Sequence, residues 1–139
     1  YTEANVFYPI STILELIFPI VFAYNISILL HYSLAGIFMF FFLKEYDLEI
    51  LACFTGGLIF MFSGTMIVQR SHPWQIFTLV WIPLILLMVE KYRKTKKYKF
   101  ILFASIFYAF CFFAGNPQTF FLWFSGNIIF YNLLFVCLQ

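Results

Sequence analysis

The chain has 139 residues, of which 64% are hydrophobic and only 10% are charged. A soluble domain carries about 25% charged residues, so these few polar side chains do not suffice to cover a water-soluble fold of this length. The composition therefore predicts an integral membrane protein with membrane lipids as neighbours. The formal net charge is +2, and the sequence shows no basic surface in which solvent-facing aromatic residues alternate with the charges. Both features argue against nucleic acid as a partner.

A short proline-bracketed segment at residues 9–19 comes first in the chain. It is apolar but too short to cross a bilayer, and its pattern predicts an amphipathic helix lying on the outer membrane surface. Five apolar stretches follow that reach or approach the roughly 20 residues needed for a spanning helix. They cover about residues 21–43, 50–69, 74–90, 98–114 and 119–138. The expected fold is all-α, a polytopic transmembrane helical bundle forming one membrane-embedded segment over residues 1–139.

Details within the spans add three expectations. Pro83 predicts a kink in the third span. Small residues in the first two spans, among them Gly36, Gly56 and Gly57, predict close helix packing. The fourth span is short, so residues 98–138 form either a hairpin of two spans or one broken segment that re-enters at the Gly115-Asn116-Pro117 turn.

Charge predicts the orientation. Six of the eight basic residues lie in the nine-residue loop 91–99. Short loops rich in Lys and Arg stay in the cytoplasm, so the loops near His72 and Asn116 are expected outside. Lys44 agrees with this orientation and Arg70 does not. The chain lacks an initiator Met, opens without a signal peptide and stops within an apolar run, as expected for an internal piece of a longer protein.

Several polar residues are candidates for chemistry, each with a plainer alternative. His31 lies inside a predicted span, where ionisable residues are costly and often functional; alternatively, it is neutral and hydrogen-bonded to Ser27 or another helix. Arg70 can pair with a phosphate through its planar guanidinium, or extend to lipid headgroups. His72 can hold a phosphate or a sugar hydroxyl, or simply occupy a hydrated helix start.

The remaining candidates lie on the turn after the fourth span and near the N-terminus. Asn116 and Gln118 can bind sugar hydroxyls or satisfy the backbone of their turn. Glu15 is either a carboxylate facing a cleft or a solvated one. No phosphate loop, nucleophile elbow or paired His ligands occur. The cysteines lie in apolar runs without metal-ligand spacing, so no metal site is predicted.

Several motifs follow one another along almost the whole chain. They are Tyr8-Pro9-Ile10-Ser11, Leu16-Ile17-Phe18-Pro19, His31-Tyr32-Ser33-Leu34-Ala35-Gly36, Phe60-Met61-Phe62-Ser63-Gly64, His72-Pro73-Trp74, Trp81-Ile82-Pro83-Leu84 with Glu90-Lys91, and Gly115-Asn116-Pro117-Gln118. In this order and spacing the chain resembles the YfhO family of bacterial multi-pass membrane proteins.

The resemblance implies a fold like that of C-type glycosyltransferases in the bacterial cytoplasmic membrane. Such enzymes take sugar from a polyprenyl-phosphate donor on the extracytoplasmic face, here for a cell-envelope polymer such as teichoic acid. Their general base lies in the first outer loop, which by this resemblance falls just upstream of Tyr1. Glu3 and Glu15 are therefore only weak catalytic candidates, and the catalytic residue is unknown. A divalent cation is left open as a cofactor.

Two alternatives to the glycosyltransferase stay open at this point. One is a transporter or flippase-like helical bundle, which is disfavoured by the scarcity of polar groups within the spans and the absence of a convincing repeat. The other is a non-catalytic assembly protein of the cell envelope. An Asp in the preceding outer loop would favour the enzyme.

Overall fold

The computed structural model describes residues 8–69 and 72–114, together with residues 121, 125 and 126. Every regular element in these ranges is an α-helix, as the sequence predicts. The helices are α1 (Pro9–Ile17), α2 (Ile20–Lys44), α3 (Ile50–Met61), α4 (Gly64–Val68), α5 (Pro73–Leu79), α6 (Ile82–Thr95) and α7 (Lys99–Phe113).

Three helical stretches are long and apolar enough to cross a membrane: Ile20–Lys44, Ile50–Val68 and Pro73–Thr95. They correspond to the first three predicted spans. α7 has 15 residues, or about 22 Å at 1.5 Å per residue, which falls short of a hydrocarbon core about 30 Å thick. The predicted fifth span and the turn before it lie outside the described residues, so a count of five spans is not confirmed.

The third stretch is interrupted where Pro83 predicts it. α5 ends at Leu79 and α6 begins at Ile82, with Val80 and Trp81 between them. Proline has no N–H to donate to the preceding turn, and its ring collides with that turn. The second stretch is also divided, since α3 ends at Met61 and α4 begins after Ser63, whose hydroxyl accepts a hydrogen bond from the Met66 amide at 3.5 Å.

The first two spans approach each other through glycine, as predicted. A Cβ atom added to Gly57 would lie 2.8 Å from the Gly36 carbonyl oxygen, and one added to Gly56 would lie 2.2 Å from Leu43 Cδ1. The Gly57–Gly36 contact is a backbone approach that only a residue without a side chain allows, whereas the Gly56 contact is with the end of a flexible side chain. Beside the contact lies an open groove of about 320 Å³ with an almost wholly apolar lining that includes Phe41 and Phe54.

The turn after α2 and the C-terminal end of α6 lie together at one end of the bundle. Lys94 Nζ lies 3.3 Å from Glu45 Oε1 and also donates to the Glu45 carbonyl. We call this the basic end, defined by residues 44–49 and 91–99. His72, which precedes α5, lies at the opposite end because α5 and α6 together form one span.

α1 runs back alongside α2 instead of crossing its end. The Tyr8 hydroxyl lies 2.7 Å from His31 Nε2, and His31 is eleven residues, or about 16 Å, along α2 from Ile20. A helix lying across the start of α2 would not bring Tyr8 to that level. The helix predicted at 9–19 is thus present over Pro9–Ile17, but its packing differs from the flat surface position expected from sequence.

Candidate functional site

Three buried aromatic side chains share hydrogen bonds in the middle of the bundle. The Tyr8 hydroxyl lies 2.7 Å from His31 Nε2, and Trp81 Nε1 donates to the same hydroxyl at 3.0 Å. His31 Nδ1 lies 2.6 Å from the Ser27 carbonyl oxygen. Tyr8 and His31 are fully buried and Trp81 is 6% exposed. We call these residues the Tyr8–His31–Trp81 cluster.

One arrangement of hydrogens satisfies every group in the cluster. His31 Nδ1–H donates to the Ser27 carbonyl, Tyr8 donates its proton to His31 Nε2, and the Tyr8 oxygen accepts from Trp81. This arrangement requires a neutral imidazole, because one ring nitrogen donates and the other accepts. An imidazolium would direct two donors at the Tyr8 oxygen and leave the Tyr8 proton without an acceptor in the cluster.

The cluster collects residues from separate parts of the chain. His31 lies near the middle of α2, Tyr8 caps the start of α1, and Trp81 occupies the break between α5 and α6. Thirteen residues separate His31 from Lys44 and fourteen separate Trp81 from Thr95, so each lies about 20 Å from the basic end. The kink at Pro83 thus positions the indole, since Trp81 lies in the connection that the kink creates.

Aromatic and small side chains enclose the cluster. The Phe77 ring stacks on Tyr8 with centroids 5.7 Å apart and lies 4.1 Å from the His31 ring. From α7, Phe107 and Phe110 pack on Trp81 at 5.7 and 5.2 Å. An apolar enclosure strengthens hydrogen bonds and raises the cost of any group left unpaired.

Helix breaks near the cluster leave backbone carbonyls that side chains satisfy. The Thr78 carbonyl lies where α5 ends, and Cys111 Sγ donates to it at 3.4 Å. Tyr32, the neighbour of His31 on α2, donates to the Met66 carbonyl of α4 at 2.7 Å. Carbonyls freed by broken helices need such partners away from water. Both contacts hold the broken helices to their neighbours.

His72 lies apart from the cluster, at the end of the bundle opposite the basic end. Its side chain is exposed, makes no capping hydrogen bond and lies next to Trp74, with ring centroids 5.0 Å apart. Pro73 takes the first position of α5, as the sequence predicts. Nine residues separate His72 from Trp81, or about 13 Å along the helix axis.

The structure places the three predicted site residues that it describes, His31, His72 and Glu15, apart from one another. His31 is buried and hydrogen-bonded to the Ser27 carbonyl and to Tyr8 at the start of α1. This agrees with the plainer of the two interpretations of His31 from the sequence. Glu15 is exposed on α1. Four other candidates lie outside the described residues: Glu3, Arg70, Asn116 and Gln118. Over the described ranges, no three His, Cys, Asp or Glu side chains could hold a metal ion together.

Sequence reasoning did not select Tyr8 or Trp81 as site residues. Both types usually find a hydrogen-bond partner when they are buried. Each stands in a motif of the family resemblance, but an apolar run does not reveal which of its aromatic residues turn inward. The only local signal was the position of Trp81 beside Pro83.

A second polar cluster stabilises the basic end. Glu90 is 3% exposed, and Arg93 donates to both of its carboxylate oxygens, at 2.7 and 3.0 Å. Burial raises the pKa of Tyr46, and the nearby Glu90 carboxylate adds to this shift. A bidentate Arg–carboxylate pair fixes geometry as well as charge, here within α6, whereas Lys94 and Glu45 connect α6 to the turn after α2.

Comparison of the chain with protein-family models, with curated proteins and with solved structures found no match.

Proposed function

We propose that the chain is the membrane-embedded segment of a glycosyltransferase-like protein that takes sugar from a polyprenyl-phosphate donor. In this proposal the basic end faces the cytoplasm of a bacterium, and His72 faces the extracytoplasmic side, where the donor phosphate would lie. The observation that carries the proposal is exposed His72, beside the half-buried Trp74, at the end opposite the basic end.

The chemistry of this pair fits a lipid-linked sugar. A histidine donates hydrogen bonds to phosphate oxygens, and Arg70, two residues earlier, would add a planar cationic donor. A departing lipid phosphate needs such donors as negative charge develops on it. The general base that would deprotonate the acceptor hydroxyl belongs, by resemblance, to sequence upstream of Tyr1. Asn116 and Gln118 are proposed to contact the sugar hydroxyls.

The test uses the full-length protein in membranes, supplied with a polyprenyl-phosphate sugar. Arg70→Ala and His72→Ala should each reduce sugar transfer about tenfold or more, since a hydrogen bond to a charged group contributes about 1.5–3 kcal/mol and 1.4 kcal/mol is tenfold. Lys97→Ala, which removes an exposed cation from the basic end, is the matched control and should leave transfer unchanged. Full transfer by both His72 and Arg70 variants would remove these residues from the mechanism.

A transporter or flippase-like function is the second candidate, and the two broken helices favour it. Transporters form midplane sites where spanning helices are interrupted. Here the break before α6 contains Trp81 of the cluster, and α4, which follows the other break, accepts a hydrogen bond from Tyr32, the neighbour of His31. Movement of a labelled lipid-phosphate across liposomes containing the protein, abolished by His31→Gln but retained in His72→Ala, would support transport. The glycosyltransferase proposal predicts the larger loss from His72→Ala.

A further inference from the structure

Two buried serine hydroxyls have no hydrogen-bond partner among the residues that the structure describes. They belong to Ser11 on α1, 5% exposed, and Ser27 on α2, 3% exposed. Several other helical hydroxyls bond the carbonyl four residues earlier, among them Ser33 to Leu29, Thr55 to Leu51, Thr78 to Trp74 and Ser105 to Ile101, at 2.8–3.0 Å. The Ser27 hydroxyl makes no such bond.

Ser11 and Ser27 lie on the helix faces that carry Tyr8 and His31, because residues three or four apart share one face of a helix. α1 and α2 run in opposite directions. Ser11 lies three residues beyond Tyr8 and Ser27 lies four residues before His31, so they stand about 4.5 and 6 Å from the Tyr8–His31 hydrogen bond in the same direction. Among the described helices, α1 packs chiefly on α2, and both serine side chains are buried.

Two unpaired hydroxyls are costly in an apolar interface. A buried hydroxyl without a partner costs about 1–3 kcal/mol, and such groups in folded proteins are nearly always hydrogen-bonded to protein or to ordered water. Each serine hydroxyl can donate one hydrogen bond and accept others. A water molecule has complementary capacity and is commonly held by two to four polar groups.

We propose that Ser11 and Ser27 bind a single buried water molecule that joins α1 to α2, one turn from the Tyr8–His31 bond. The water fixes the position of α1 along α2 and thereby holds Tyr8 against His31. This site goes beyond the proposed function and does not depend on it, since it requires only the packing of two helices.

A double-mutant cycle tests the proposal through thermal unfolding of the purified protein in detergent. Ser11→Ala and Ser27→Ala should each lower the melting midpoint by a few degrees. The melting midpoint of the double variant should fall little further than that of the more destabilised single variant, because both substitutions release the same water. Ser33→Ala, which removes a serine already bonded to its own helix, is the matched control on α2 and should change the midpoint less.

If the two hydroxyls had no water partner, the result would be the opposite. Each Ser→Ala variant would then remove an unpaired buried hydroxyl and would not lower the midpoint. A raised or unchanged midpoint in either single variant, or losses that add in the double variant, would overturn the proposal. If a variant fails to fold, a high-resolution experimental map of the unmodified protein decides the question. An oxygen peak 2.7–3.2 Å from both Oγ atoms is expected, and a direct hydrogen bond between the serines or an empty, well-resolved interface contradicts the proposal.

Discussion

Replacing Tyr8 with Phe removes one hydroxyl and two buried hydrogen bonds. The ring can stay stacked on Phe77, so the substitution leaves the packing largely intact. It deprives His31 Nε2 of its donor and Trp81 Nε1 of its acceptor, at sites where the bonds are now 2.7 and 3.0 Å long. Both orphaned atoms belong to side chains almost without exposed surface, so neither can turn to solvent without rearrangement.

The expected loss of stability follows from these two bonds. A buried polar group left unpaired costs about 1–3 kcal/mol, whereas side-chain hydrogen bonds between membrane helices average about 0.6 kcal/mol and reach about 1.7. The loss of both Tyr8 hydrogen bonds is therefore expected to lower the free energy of unfolding by about 1–3 kcal/mol. For a chain of this size that corresponds to a fall of roughly 3–10 °C in the melting midpoint.

Thermal unfolding in detergent, followed by circular dichroism, measures this loss. Tyr24→Phe is the matched control, because Tyr24 lies on α2 with 42% of its surface exposed and should change the midpoint little. A Tyr8→Phe midpoint no lower than that of Tyr24→Phe would refute the reasoning, since the cluster would then contribute nothing to stability.

Three further predictions concern the helix contacts, the basic end and the orientation. Gly57→Ala should destabilise the protein by about 1–3 kcal/mol in the same unfolding assay, because its Cβ would lie 2.8 Å from a backbone oxygen of α2. Gly64→Ala is the control, because a Cβ there would have nothing within 4 Å. An equal loss of stability in the control would contradict the importance of the Gly57 contact. Glu90→Gln should lower the midpoint and make it less sensitive to salt, because it removes a buried charge paired with an arginine of the same helix. An unchanged midpoint would show that this ion pair is dispensable. A membrane-impermeant thiol reagent added to intact cells should label His72→Cys and spare Thr95→Cys, and the reverse pattern would invert the proposed orientation.

The sequence predicted the parts of this fold that depend on composition and backbone chemistry. Apolar length predicted the first three spans, Pro83 predicted the break before α6, and Gly36 and Gly57 predicted the close approach of α2 and α3. Each of these effects is local. The length of an apolar run, a missing N–H and a missing side chain have the same consequence whichever helix packs against them.

The candidate site was less predictable because it depends on which faces of the helices meet. α2 is apolar nearly all round, so its pattern does not show that His31 faces Tyr8 and Phe77. The direction of α1 also escaped prediction, since a short amphipathic segment has the same sequence pattern whether it lies on a surface or against another helix. Only the three-dimensional packing distinguishes these arrangements.

The hydrogen bond between Tyr8 and Trp81 joins residues 73 positions apart, and this separation bears on biogenesis. A chain inserted in order from its N-terminus presents α1 long before its last partner enters the bilayer. Tyr8 can bond His31 as soon as α1 and α2 are in place, because these two helices are neighbours in sequence. The indole arrives only with the break between α5 and α6, so completing the cluster is a later assembly step than the docking of α1 on α2.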